Sequence, residues 1–166
     1  MDANARKTKL EFLLQKQKEK ERNDEIQMQL GWILEPFSTK EGIRLLDDEE
    51  REKVKTELIE SIPIIEWVSL DLEKMNNKFV MHNVSSDKVA LFLNDKELYT
   101  DNLIYLFLQD DLPPWSTFPW VKMPLSKVIE NIIHLAAEDS YQQYVFCISP
   151  KFVIEFVEPD LITIAW

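Results

Sequence analysis

The residues that most often carry catalysis are few in this chain, and their spacing matches no common catalytic motif. The two histidines, His82 and His134, lie far apart, and the single cysteine, Cys147, lies within an apolar run. Thiolate zinc sites need several cysteines, and nucleophilic catalysis needs a base beside the nucleophile. We therefore expect both histidines to be structural residues, His134 within a buried helical pattern and His82 within a strand. We expect Cys147 to be a buried, inert thiol.

The glycine content argues against phosphate-binding loops. The chain contains 2 glycines, and residues 43–166 contain none. Loops that cradle phosphates need glycine so that backbone N–H groups can approach the ligand, so nucleotide-binding motifs and the nucleophile elbow are excluded. A carboxylate pair of the glycosidase type stays open, but 30 Asp and Glu residues make accidental pairs common. We predict no catalytic residue, no metal and no cofactor; a small enzyme of unfamiliar family remains the alternative.

One segment, QDDLPPWSTFPW at residues 109–120, combines acids, prolines and aromatics. Asp110 and Asp111 precede Trp115, Phe118 and Trp120, and three prolines keep the segment from forming a regular element. Aromatic anchors beside carboxylates are typical of protein interfaces. We predict a partner-binding surface formed by Asp110, Asp111, Phe118 and one or both of Trp115 and Trp120. The alternative is that both tryptophans cover the core.

The charge of the chain is negative and uneven. The net charge is −11, but residues 1–22 carry seven Lys or Arg against four acids, which leaves −14 on residues 23–166. An acidic body repels phosphate backbones, so we expect no direct binding of nucleic acid. It favours a basic protein partner through electrostatic steering, with plain solubility as the competing explanation.

Two helices are predicted in the first part of the chain. Residues 5–30 favour a helix by propensity, and residues 15–25 contain no apolar residue, so this stretch should project into water. Asp47, with Glu50 three residues later, predicts a helix start before a buried stripe of Val54, Leu58 and Ile59 that ends near Glu60.

The remaining pattern predicts a sheet. Residues 64–70 and 78–84 favour strands, 88–93 is ambiguous, and 103–108 is predicted as a helix capped by Thr100 or Asp101. A helix is predicted over 124–138, followed by strands at 143–149, 151–157 and 161–165 that form an antiparallel meander. We expect a single α+β domain, 1–166, in which N-terminal helices precede a mainly antiparallel sheet with a helix packed on its C-terminal three-stranded meander. Residues 1–30 form a partly projecting helix and 31–166 the α+β body.

No secretory signal and no apolar run of about 18 residues is found, so we expect a cytoplasmic protein without membrane contact. In length, acidity and the ending YVFCISPKFVIEFVEPDLITIAW, the chain resembles the immunity proteins of bacterial polymorphic and contact-dependent toxin systems. The resemblance implies a stoichiometric inhibitor whose acidic side chains face the basic groove of a toxin domain, often a nuclease. A phage-type inhibitor or nucleic-acid mimic is the alternative, and the oligomeric state stays open.

Overall fold

The computed structural model describes residues 3–35, 37–65, 69–108, 120–137 and 143–166. The chain divides into two compact units, Met1–Glu35 and Pro36–Trp166. The first unit is built on one helix, α1 (Ala3–Leu34), in which Lys, Glu, Gln and Leu supply high helix propensity. All side chains of residues 15–24 are exposed, which confirms that this apolar-free stretch adds nothing to a core. No helix in the described part of the chain is long and apolar enough to cross a membrane.

The second unit contains a seven-stranded antiparallel sheet in the order β1-β6-β5-β7-β8-β9-β4, and a two-stranded β2–β3 pair. The strands are β1 (Arg44–Leu45), β2 (Ile64–Ile65), β3 (Ser69–Leu70), β4 (Lys78–His82), β5 (Leu103–Leu108), β6 (Val121–Pro124), β7 (Gln143–Cys147), β8 (Phe152–Glu158) and β9 (Leu161–Ala165). The helices are α2 (Asp48–Ser61), α3 (Ser86–Asp95), α4 (Leu125–Glu130) and α5 (Ile132–Ala137), with a 3-10 turn at Leu72–Lys74. The α+β class expected from the sequence is therefore confirmed.

The C-terminal meander is present as expected. Strands β7, β8 and β9 are neighbours in one sheet, and α5 packs against β8. The helix expected over 124–138 is instead two short helices separated by Asn131. The Asn131 side-chain amide donates to the Lys127 carbonyl at 2.9 Å, and its backbone N–H is shared between Lys127 and Val128. This local hydrogen bonding ends α4 before α5 begins.

Successive side chains of a strand point to opposite sides, and in the central strands, such as β7, both sides are buried. On one face Phe146 and Val153 pack in one cluster with Val54 and Leu58 of α2. On the other face Val145 and its cross-strand partner Ile154 are fully buried, on the side where α5 meets β8. Helices on both faces explain why the strands carry apolar residues at nearly every position.

The prediction for residues 103–108 is wrong, because they form strand β5 between β6 and β7. Half of the run LIYLFL is β-branched or aromatic (Ile104, Tyr105 and Phe107), and pairing with a strand on each side decides its conformation. Thr100 does not cap a helix; its hydroxyl accepts from the Asn102 N–H at 3.0 Å in the turn before β5. The ambiguous residues 88–93 lie in α3, which Ser85 caps by accepting from the Lys88 N–H.

The start of α2 follows the prediction, with one correction on its buried stripe. The Asp47 side chain accepts from the Glu50 N–H at 2.8 Å, and Val54 and Leu58 are buried. Ile59 is 45% exposed, so it is not part of the stripe. The strand predicted at 64–70 is replaced by the short β2–β3 pair, in which Ile64 lies opposite Leu70.

Candidate functional site

Most of the predicted partner-binding segment lies outside the described residues. Asp110, Asp111, Trp115 and Phe118 all belong to that part of the chain. The structure does define the two strands that the segment connects: β5 and β6 are antiparallel neighbours, with Leu106 opposite Val121. The binding role of these four residues therefore stays a prediction. The structure shows only that the segment follows β5 and precedes β6.

Trp120 is placed by the structure, and its side chain belongs to the core. Its exposed fraction is 1%, and its ring stacks on Phe107 with centroids 4.1 Å apart and planes 5° from parallel. It shares a cluster with Val54 and Leu58 of α2. A side chain buried in this way offers no surface to a partner, so the anchor role predicted for Trp120 is corrected to a packing role. The sequence-based alternative, in which the tryptophan covers the core, holds for this residue.

The backbone of Trp120 connects the segment to the start of α2. The Leu46 N–H donates to the Trp120 carbonyl at 2.9 Å, which extends the pairing of Leu45 with Val121 by one residue. Asp47 follows at once as the cap of α2. The acidic end of α2 therefore begins next to the residue at which the predicted binding segment ends.

Exposed carboxylates line α2. Acids dominate its first turn because the helix dipole and the free N–H groups favour negative charge there. Three acids pair with cations of the same helix: Asp48 with Arg51 at 3.0 Å, Glu49 with Lys53 at 2.7 Å and Glu52 with Lys55 at 3.7 Å. Glu57 and Glu60 are exposed and have no cation within ion-pair distance among the described residues. The outer surface of α2, which we call the α2 acidic face (Asp48, Glu49, Glu52, Glu57 and Glu60), was missed as a site, although the run DDEEREKVKTELIE signals it.

A charged cluster holds α2 against the sheet at β1. The Arg44 guanidinium donates through both terminal nitrogens to the two carboxylate oxygens of Glu50. This hydrogen bonding lowers the pKa of Glu50 from 4.5 to about 2. Lys122 lies 5.6 Å from the Tyr105 ring centroid in the adjoining strands, and burial raises the pKa of Tyr105. The cluster fixes the position of the first turn of α2.

The two histidines and the single cysteine lie on three different elements, β4, α5 and β7. His82 lies in strand β4, as expected, with an exposed side chain. His134 on α5 is also exposed, so the expectation that it belongs to a buried pattern is wrong. Cys147 is fully buried, as expected, and burial raises the pKa of its thiol. Among the residues that the structure describes, no group of three His, Cys, Asp or Glu side chains could hold a metal ion.

Comparison with known proteins assigns no family. No protein-family model matches the chain. No curated protein matches it. The geometry of the molecule itself therefore carries the functional argument.

Proposed function

We propose that this chain is a binding protein that captures a basic protein partner and inhibits it stoichiometrically, as immunity proteins neutralise toxins. The observation that carries the proposal is the α2 acidic face, which starts beside the end of the acidic, aromatic segment at residues 109–120. The acids of α2 thus follow directly after Leu46, which is hydrogen-bonded to Trp120, the last residue of that segment.

The charge of the whole unit supports a basic partner. Residues 1–35 contain seven acids and seven Lys or Arg, so the net charge of −11 resides entirely on residues 36–166. Complementary potentials of this kind accelerate encounter and reject like-charged ligands. They also disfavour nucleic acid, whose binding requires Lys and Arg against the phosphates.

The ion pairs within α2 leave its carboxylates available. Pairs such as Glu49 with Lys53 are exposed on both sides, and exposed pairs contribute only about 0–1 kcal/mol each. An incoming Lys or Arg can therefore replace the intrahelical cation at little cost. Glu57 and Glu60 need no such exchange, because they have no cation partner among the described residues.

Charge supplies fast encounter but little lasting affinity, so an aromatic anchor is required. Because Trp120 is buried, that role passes in our proposal to Trp115 and Phe118. In a complex with the partner, Asp110→Lys combined with Asp111→Lys should slow association and weaken its salt dependence. Trp115→Ala should mainly accelerate dissociation, at a cost of about 2 kcal/mol or more if it is a true anchor. Unchanged rate constants in both variants would place the interface elsewhere.

A matched pair of charge variants tests the α2 acidic face. Glu57→Lys with Glu60→Lys reverses two acids near the C-terminal end of α2, where cations are compatible with the helix dipole. Asp101→Lys with Glu158→Lys reverses two exposed acids outside α2 and produces the same change of net charge. The experiment compares the basic proteins that immobilised wild type and both variants retain from a bacterial lysate at low and high salt.

A cognate partner should be retained by the wild type and the control variant and released by the α2 variant. The activity of that partner should then fall in proportion to the amount of wild-type protein added. Inhibition should be complete when the two proteins are present at a 1:1 molar ratio. Equal retention by all three proteins would show that binding depends on the net charge of the protein and not on the α2 acidic face. A retained protein whose activity is unaffected would overturn the inhibitor role.

A further inference from the structure

Strand β4 ends the seven-stranded sheet, and half of its backbone polar groups point away from it. Asn77 exchanges two hydrogen bonds with Trp166, at 3.3 and 3.1 Å, so it is a hydrogen-bonded pair of the antiparallel ladder with β9. Such pairs alternate along the ladder. Phe79 and Met81 therefore bond to β9, whereas the N–H and C=O groups of Lys78, Val80 and His82 point outward. No strand of the described residues pairs with this outer side of β4.

The side chains beside this edge are apolar and partly exposed. On one face Phe79, which is 42% exposed, stacks on Phe92 of α3 with ring centroids 4.5 Å apart. Leu91 of the same helix is 71% exposed. On the other face Val80 is 41% exposed. An added strand would thus find hydrogen-bonding groups at its backbone and apolar contacts for its side chains.

The edge is close to neutral within an acidic unit. Residues 71–88 carry three lysines, Lys74, Lys78 and Lys88, and three acids. Lys74 and Lys78 pair with Asp71 and Glu73. The Lys88 ammonium donates to the Asn83 carbonyl at 2.7 Å, just past the end of β4, and no carboxylate of the described residues lies within ion-pair distance of it. The end of β4 near Lys88 is therefore suited to an acidic side chain.

We propose that β4 is a docking edge for an extended segment of another protein, which adds to the sheet as an eighth, antiparallel strand. Its side chains opposite Phe79 and Met81 are apolar, and an acidic residue at its N-terminal end lies next to Lys88. Strand addition of this kind takes affinity from main-chain hydrogen bonds and specificity from alternate side chains. The site differs from the α2 acidic face in place and charge, so its existence does not depend on the function proposed above.

A second copy of this chain fits the same edge poorly. Antiparallel pairing of two β4 strands about Val80 would place Lys78 of one copy opposite His82 of the other, beside its Lys88. It would also bring together two units that each carry a net charge of −11. Lysine in an edge strand is a known device against self-pairing. The cations thus favour an acidic segment over another copy.

Amide hydrogen exchange tests the state of the edge without any ligand. In the free protein the Lys78, Val80 and His82 amides should exchange fast, and the Phe79 and Met81 amides slowly, because only the latter bond to β9. Slow exchange at all five positions would mean that the edge is already covered, and would overturn the proposal.

The probe for docking is the peptide acetyl-ETITVT-amide, designed to pair antiparallel with its glutamate beside Lys88 and its isoleucine and valine opposite Met81 and Phe79. Titration into the labelled full chain should perturb the amide signals of β4 and the start of α3 and should slow exchange at Lys78, Val80 and His82. Methylating the backbone nitrogen of the central threonine, which faces β4, should weaken binding by about two- to tenfold. Methylating the isoleucine nitrogen, which faces away, should not.

Two protein variants complete the test. Val80→Pro removes an outward N–H without removing a hydrogen bond to β9, and it should abolish binding of the peptide, because the lost donor lies opposite the incoming strand. If that variant fails to fold, the methylated peptides still decide the question. Lys88→Gln should remove the preference for the glutamate peptide over its glutamine analogue. Absence of peptide binding, equal effects of the two methylations, or a dimer formed through β4 would each overturn the proposal.

Discussion

The two edges of the seven-stranded sheet end in different ways. Strand β1 has two residues, is followed at once by the cap of α2, and uses its Arg44 side chain to hold Glu50. Strand β4 has five residues, and no described residue pairs with its outer side. Proteins blunt sheet edges by shortness, charge or covering elements. The first edge is very short and carries an ion pair to α2, whereas the outward groups of the second meet no described strand, which is why our docking proposal concerns β4.

The same contrast holds for the aromatic pairs near the two edges. Trp120 stacks on Phe107 in the core behind β1, while Phe79 stacks on Phe92 beside β4. The centroid separations, 4.1 and 4.5 Å, are similar, but Trp120 is 1% exposed and Phe79 is 42% exposed. The two pairs therefore have similar centroid separations, and they differ mainly in how far their side chains are buried.

The largest expected effect follows from truncating the buried partner. Trp120→Ala should lower the free energy of unfolding by about 3–5 kcal/mol, because it removes a large side chain from a packed core and leaves a cavity. Trp120→Phe should cost much less, since no described residue accepts a hydrogen bond from the indole Nε1 and the ring stack is kept. Urea denaturation measures both. A cost below that of an ordinary surface substitution would mean that Trp120 is not packed as described.

Truncating the exposed partner should have an intermediate effect. Phe79→Ala removes a half-exposed ring and one aromatic stack, which together contribute about 1–2 kcal/mol. The measurement is again the urea midpoint, with Leu91→Ala as the control for an exposed apolar side chain on the neighbouring helix. A cost equal to that of Trp120→Ala would show that β4 is as well packed as the β1 side, and the contrast between the edges would fail.

The sequence predicted the features that depend on local pattern. The Asp47 cap and the meander follow from neighbouring residues, and both are present. Strand β5 was predicted as a helix because a short apolar run does not distinguish the two; its conformation is decided by β6 and β7, which are distant in sequence. The sequence analysis placed Trp120 at an interface because its local pattern does not show its long-range contacts. Its burial depends on α2 and on Phe107.

The α2 acidic face and the free edge of β4 differ in how far they could be predicted from the sequence. The acids of α2 are visible as a run of letters, but only the hydrogen bond from Leu46 to Trp120 shows that they begin beside the 109–120 segment. The free edge at β4 follows from the strand order of the whole sheet. No local pattern in KFVMH distinguishes an edge strand from a central one.

The smallest expected effect concerns the ion pair that closes the β1 edge. The folded pKa of Glu50, about 2, lies below its ordinary value of 4.5, because Arg44 stabilises the carboxylate. A lowered folded pKa means that the contribution to stability is fully present above pH 4.5 and is lost as the pH falls toward 2. Both groups face solvent, so the change should be small and should shrink further in high salt.

Glu50→Gln isolates this contribution from those of the other carboxylates. Stability of wild type and variant should be compared by urea denaturation from neutral pH down to the acid limit of folding. The difference between the two proteins should be constant above pH 4.5 and should decline below it, because only the wild type then gains a proton at this position. Arg44→Gln should reproduce the same decline. A difference that does not change with pH would mean that Arg44 and Glu50 do not interact in solution, and that the shortness of β1 alone protects this edge.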